Sequence, residues 1–377
     1  MSEQRTTNSK TEMEGRKLSP SAAADVVAAV LRPEIRALSA YAVARADGMI
    51  KLDAMENPYA MPADVRTRLA NALAHVALNR YPDGGADAVK SSLRMSLALA
   101  DDVALMVGNG SDEILQIITT AVAKPGAAVV APDPSFVMYR LYAVYANARY
   151  IAVPLQSNFD LDNDAMLAAI ERERPALVWL AYPNNPTGNL FDAGTVERII
   201  RAAPGLVVVD EAYYAFADRS FLPRVREFAN LIVVRTLSKI GMAALRLGYA
   251  VAHPAWIAEL EKVRPPYNVN ALTQAAVPLL LAERAVLEEQ ARAIRAERAR
   301  LTTALCAIAE VIVYPTSTNF VVARVPDANA SFAALRGANI LVKNLHGWHP
   351  LLVNCLRITV GTPHENDALL KVLKQTP

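Results

Sequence analysis

Apolar positions recur along this chain in two rhythms. Short continuous runs, rich in β-branched residues, stand at 104–110, 127–131, 148–154, 176–181, 205–209, 231–234 and 247–252. Runs of that length and composition predict strands buried on both faces. Between them lie stretches with helical spacing, at 63–77, 111–123, 137–145 and 164–172. Pro62 introduces the first of these, and Ser111, a favourable N-cap, opens the second with acidic residues in its first turn. Strands alternating with helices predict an α/β fold, a mainly parallel sheet wrapped by helices. Ahead of it, residues 21–39 read as a short amphipathic helix carrying Val26, Val27, Val30 and Leu31.

The pattern changes after residue 254. A helix starting at Pro254 ends at Arg264, where Pro265 and Pro266 break it, and residues 266–270 are the expected hinge. Beyond lie one long helix, about 273–309, and an alternating pattern at 311–314, 319–323, 333–337, 340–342 and 356–360. That combination predicts a smaller α+β domain. The expected organisation is therefore a disordered tail (1–20), an N-terminal segment packing with the small domain (21–52), a large domain (53–265) and the small domain (266–377). No internal repeat or low-complexity segment interrupts it.

Composition narrows the function classes. A formal net charge of +2 and 20% charged residues offer no field that calls for nucleic acid or an anionic membrane. The basic cluster 292–300 is interleaved with Glu289 and Glu297, as on a solvated helix face. Cys306 and Cys355 are the only cysteines, too few for a disulfide framework or a zinc cluster. His346 and His349 sit in a loop without a clustered carboxylate, which suits packing and no metal. No signal-peptide core is seen in 1–20 and no apolar run approaches the ~18 residues of a membrane span, so the cytoplasm is expected.

Chemistry gathers at the carboxyl ends of the predicted strands, where open α/β sheets place their ligands. The run 231–234 leads past Thr236 to Lys239, with Arg246 further on. A lysine held in a partly dry pocket loses proton affinity and can form a Schiff base with an aldehyde near neutral pH. On local grounds the same segment also reads as an ordinary strand end with a snorkelling lysine. The neighbouring runs end in Asn184 and Asn185, and in Asp210 and Tyr213. At adjacent strand ends these groups can converge on one phosphorylated pyridine aldehyde. Asp210 would keep a ring nitrogen protonated, Asn185 and Tyr213 would hydrogen-bond a ring oxygen, and Phe136 would stack on the ring. Arg246 with Gly110 and Ser111 at a helix start would anchor a phosphate, provided that Asp112 points away from it.

These residues lie in motifs that resemble the fold-type-I pyridoxal-phosphate aminotransferases, and closely the histidinol-phosphate aminotransferases. The motifs are DAMENPY (53–59), GNGSDE (108–113), PNNPTG (183–188), DEAY (210–213), TLSK (236–239), RPPYNVN (264–270) and CLRITVGT (355–362). RALSAY (36–41) points to the same branch. The resemblance covers almost everything after the tail. It implies a fold-type-I α/β architecture, pyridoxal 5'-phosphate as cofactor, and a homodimer with shared sites.

Position by position, the resemblance makes Lys239 the Schiff-base lysine, Asp210 the ring-nitrogen partner, and Tyr213 with Asn185 the holders of the ring oxygen. Gly110, Ser111, Asp112, Phe136, Thr236, Ser238 and Arg246 fall to the cofactor, and Tyr59 to the cofactor phosphate of the other subunit. Arg357 would grip the substrate's anionic end, with Tyr41 and Asn319 nearby. Ala244 and Ala60 depart from the usual glycine and proline, which touches loop geometry and not reacting groups. The implied reaction moves the amino group of histidinol phosphate to 2-oxoglutarate, giving imidazole acetol phosphate and glutamate in histidine biosynthesis. An aromatic or broad-range aminotransferase and a phosphothreonine decarboxylase share the scaffold, so substrate choice stays open at this point. A non-catalytic ligand-binding module would lack the lysine or the carboxylate, and this chain has both.

Overall fold

The computed structural model describes residues 20–40 and 44–375, in two units, one within residues 1–44 and one within 45–377. The first unit carries helices Pro20–Val30 and Pro33–Arg36. The single helix expected over 21–39 is thus interrupted: Arg32, which precedes Pro33, is extended at ψ 138°, as a pre-proline residue prefers.

Among its described residues the second unit holds three sheets. Its strands are β1 (Ile50–Lys51), β2 (Ala104–Asn109), β3 (Ala128–Asp133), β4 (Arg149–Pro154), β5 (Leu177–Ala181), β6 (Leu206–Asp210), β7 (Leu231–Thr236), β8 (Leu247–Ala252), β9 (Ile312–Val313), β10 (Phe320–Arg324), β11 (Ile340–Leu341), β12 (Lys343–Asn344) and β13 (Cys355–Thr359). The large sheet runs β2-β8-β7-β6-β5-β3-β4. All its neighbours are parallel except β8, which is antiparallel to both β2 and β7. Every residue of β5, β6 and β7 is buried. Strand alternation divides them between two cores: Val178, Leu180, Val207 and Val209 face one, and Leu177, Trp179, Leu206 and Val208 the other. A sheet covered on both faces explains the uninterrupted apolar runs.

A smaller antiparallel sheet, β12-β13-β10-β9, lies in the C-terminal part of the same unit. The short pair β1–β11 is parallel, with Ile50 opposite Ile340, so the chain just before residue 53 is tied to a C-terminal element. Thr359 also donates its backbone N–H to the Leu52 carbonyl at 2.9 Å.

Three local expectations need correction. The long helix over 273–309 is two, Ala271–Ala282 and Arg284–Cys306. Glu283 between them turns out of the helical region at ψ 36°, pinned by Arg68 at 2.6 Å. Residues 333–337, grouped with the alternating segments, end the helix Ala328–Gly337, whose start Asp327 caps through the N–H groups of Asn329 and Ala330. The N-cap before the helix Ser111–Val122 is Gly110 and not Ser111. Gly110 has φ +81°, and a Cβ there would stand 2.6 Å from the Arg246 guanidinium. Only glycine meets both demands. A helix at Asp87–Leu97, whose pattern was not recognised, completes this part of the fold.

Candidate active site

β5, β6 and β7 are adjacent and parallel, with Ala181 opposite Asp210 and Asp210 opposite Val234. Their carboxyl ends therefore open on one cavity of about 220 Å³. Lys239, Asp210, Asn185, Tyr213 and Phe136 line it, together with Ser111, Asp112, Thr236, Ser238 and Arg246. Ten of the residues singled out in the sequence thus meet in one place.

Lys239 enters from a short 3-10 turn, Ser238–Ile240, that ends β7. Its Nζ donates to the Ala54 carbonyl at 3.2 Å and stands 5.9 Å from the centre of the Tyr213 ring. Burial lowers the amine's pKa to about 8, and the nearby Arg357 pushes the same way. A free amine is therefore accessible at mildly alkaline pH.

Asp210 lies at the opposite chemical end. It is buried; Oδ2 accepts from the Tyr139 hydroxyl at 2.9 Å and Oδ1 from the Ala212 N–H at 3.1 Å. Burial raises its pKa to about 6, against the effect of those two donors. Beside it, Glu211 is fully buried and bonds to Arg235, Ser220 and the Phe221 N–H, with the Arg235 guanidinium 4.0 Å over the Tyr214 ring. Because Glu211 follows Asp210 and Arg235 precedes Thr236, this pair locks the ends of β6 and β7 together.

The third corner is built for an anion. The helix Ser111–Val122 has no capping side chain at Gly110, which leaves its first-turn amides available to a ligand. Arg246 reaches this point from φ +50°, with Nη1 donating to the Ser238 hydroxyl at 3.3 Å, and Thr236 donates to the same hydroxyl at 3.0 Å. Asp112 does not point wholly away, for its Oδ2 lies 3.7 Å from Arg246. Uncapped amides, two hydroxyls and a guanidinium fit a phosphate, while the amine and the carboxylate fit an aldehyde and a pyridine nitrogen. The donor set therefore matches pyridoxal phosphate.

Arg357, on β13, is buried beside the cavity. It donates to Asn185 Oδ1 at 2.6 Å and to the Asp53 carbonyl at 3.0 Å. Asn319 is buried and donates to the Met55 carbonyl at 2.9 Å, one residue from the Lys239 contact at Ala54. Tyr59 does not line its own chain's cavity. Tyr41 lies outside the described residues. His346 and His349 each accept a backbone N–H through Nδ1, from Asn354 and Leu351. One carboxylate, Asp133, stands 3.5 Å from His349 Nε2.

Sequence reasoning missed Tyr139 and the Glu211–Arg235 pair. Tyr139 lies in the first turn of the helix Val137–Tyr145, three residues after its N-cap Phe136, but no motif marks it.

Residues 47–373 match the model of the family described as aminotransferase class I and II. A histidinol-phosphate aminotransferase of Chromobacterium violaceum is 54% identical over 346 residues, covering 92% of this chain and 97% of that protein. Histidinol-phosphate aminotransferase 1 of Ralstonia nicotianae is 51% identical over 362 residues, covering 94% and 97%. Among solved structures, the histidinol-phosphate aminotransferase of Sinorhizobium meliloti in complex with pyridoxal-5'-phosphate superposes with a TM-score of 0.81 at 26% identity, over 92% of this chain and 97% of that one.

Proposed function

The chain belongs to the aminotransferase class I and II family and, within it, to the histidinol-phosphate aminotransferases, and from that membership we propose that it transfers the amino group of L-histidinol phosphate to 2-oxoglutarate. The products are imidazole acetol phosphate and L-glutamate, and the step serves L-histidine biosynthesis. One observation supports this reading most: a lysine amine of lowered proton affinity, a buried carboxylate and an uncapped helix start beside a guanidinium share one cavity.

Pyridoxal phosphate, when bound, supplies a protonated pyridine ring that draws electrons from the substrate's α-carbon. The residues do the rest. Ser111, Ser238, Thr236 and Arg246 would hold the phosphate, and Phe136 would cover one ring face. Asn185 and Tyr213 would hydrogen-bond the ring oxygen, and Asp210 would keep the ring-nitrogen proton in place. The Lys239 amine takes the proton from the substrate α-carbon and returns it on the other side of the exchange. Arg357 binds the carboxylate of glutamate in one half-reaction and the phosphate ester in the other, since a guanidinium fork suits both. Asn319 would belong with it.

The same reading makes the enzyme a cytoplasmic homodimer in which Tyr59 reaches the partner's cofactor phosphate. Its place outside its own chain's cavity supports that assignment. Residues 53–265 and 266–377 would act as large and small domains about the segment 266–270. No helix among the described residues is long and apolar enough to cross a membrane.

The test is turnover by purified protein with added cofactor. Glutamate and 2-oxoglutarate should interconvert with the histidinol phosphate pair far faster than with phenylalanine or tyrosine. Faster turnover of the aromatic donors, or CO₂ released from phosphothreonine, would replace the proposal with one of its relatives on the same scaffold.

A further inference from the structure

Tyr139 has no role in the chemistry above, yet its hydroxyl donates to Asp210 Oδ2 at 2.9 Å. It sits on the helix Val137–Tyr145, which starts directly after Phe136. Its ring is fully buried and lies flat on Trp179, with centroids 5.0 Å apart and planes 4° from parallel. Phe136 meets the same ring edge-on at 5.5 Å. Strand alternation explains the meeting: Leu206, Val208 and Asp210 point to the face of the sheet that Trp179 and Tyr139 share.

We propose that Tyr139 is a positioning residue for Asp210: its hydroxyl pins Oδ2, so that the carboxylate stays ionised and aimed at the cofactor's ring nitrogen. The inference rests on the pyridoxal-phosphate reading of the cavity. Through it, the helix and the residue that caps it serve two contacts with the ring, its face by way of Phe136 and its nitrogen by way of Tyr139. The stack on Trp179 and the edge contact with Phe136 fix the phenol from two sides, so its oxygen cannot swing away without disturbing both.

The surroundings show why a donor is needed there. The titratable groups facing Asp210 are Tyr139 and Tyr142 from the helix, Asp112 from the helix Ser111–Val122, Glu211 next in the chain, and Tyr213 and Lys239 around the cavity. Burial opposes ionisation of Asp210 most strongly, and Asp112 and Glu211 add to that; Tyr139 and the Ala212 N–H counter it. Tyr139 keeps its own proton, because burial and the adjacent Asp210 push its phenol well above the ordinary value. It can therefore act only as the donor in this pair.

Tyr139→Phe removes one oxygen and keeps the ring stack. Two readings on that variant separate the parts of the proposal. In cofactor-free protein with ¹³C-labelled aspartate carboxyls, NMR should show the Asp210 midpoint about one pH unit above wild type. With pyridoxal phosphate added, the dissociation constant should rise roughly tenfold near pH 5, below both midpoints, since one pKa unit is a factor of ten, by only about twofold near pH 7, and match wild type by pH 9. An unchanged midpoint overturns the proposal, and so does a weakening of the cofactor that is the same at every pH. If wild type itself takes up no pyridoxal phosphate, the functional reading falls first and this inference with it. Should Tyr139→Phe not fold, Tyr139→His keeps a ring and a donor, and a midpoint below that of a folded Tyr139→Leu supports the same role; equal midpoints contradict it.

Discussion

The two ends of the cavity solve opposite problems. At the Asp210 end everything is buried, and each polar atom has a specific partner: Tyr139 for one oxygen, the Ala212 N–H for the other. At the Arg246 end the guanidinium and Asp112 are about half exposed, at 47% each, and the donors are several and loosely spaced. A dry environment makes one charge costly and therefore sensitive to a single hydrogen bond. A wet, multi-donor environment spreads its hold over many weak contacts, so no single one decides. The buried end should chiefly set the rate, and the open end should chiefly set how well the cofactor is retained.

That contrast can be broken at its strongest point first. Asp210→Asn keeps the shape but not the charge, and turnover per bound cofactor should fall on the order of 10³-fold even at saturating cofactor, within the range for a lost proton-managing group. A variant that simply lost its cofactor at normal turnover per bound site would reverse the assignment of the two ends. Arg246→Ala should do the opposite. Its cofactor dissociation constant should rise roughly 10- to 100-fold, the equivalent of one charged hydrogen-bonding partner, with turnover largely restored at saturating cofactor.

A smaller effect is expected at the substrate side. Arg357→Lys should weaken glutamate and histidinol phosphate alike, by about tenfold in each KM. Stopped-flow measurement of the two half-reactions separately checks this, and damage to only one would remove the dual role. The smallest effect is one of pH. Burial holds Lys239 near 8, below its ordinary 10.5, so in cofactor-free protein its acylation should be half-maximal near pH 8. In the window between those values the unfolded chain binds more protons than the folded one, so stability should rise with pH from about 8 toward 10.5. Reactivity that climbs only near 10.5 would place the amine in water.

Much of the buried strand framework was legible because its rhythm is unambiguous: β5, β6 and β7 are continuous apolar runs that end in Asn185, Asp210 and Lys239 within a few residues of the last buried position. What was not legible depends on geometry across the chain. Tyr139 carries no motif, and only the packing of its helix over β5 and β6 brings its hydroxyl to Asp210. Ala54 serves Lys239 through its carbonyl, a backbone contact that no residue type announces. The break at Glu283 escaped notice because helical spacing continues on both sides of it, and the turn lies in one backbone angle and a distant ion pair with Arg68. Ser111 was read as a cap on residue preference alone, whereas the space under Arg246 reserves that position for Gly110.

The central claim is that Lys239 alone holds the cofactor covalently. Protein reconstituted with pyridoxal phosphate, reduced with borohydride, digested and weighed by mass spectrometry tests it directly. The expected result is one cofactor equivalent fixed on the peptide that contains Lys239, and none in Lys239→Ala. A label on a different lysine, or undiminished labelling of the alanine variant, would contradict the account.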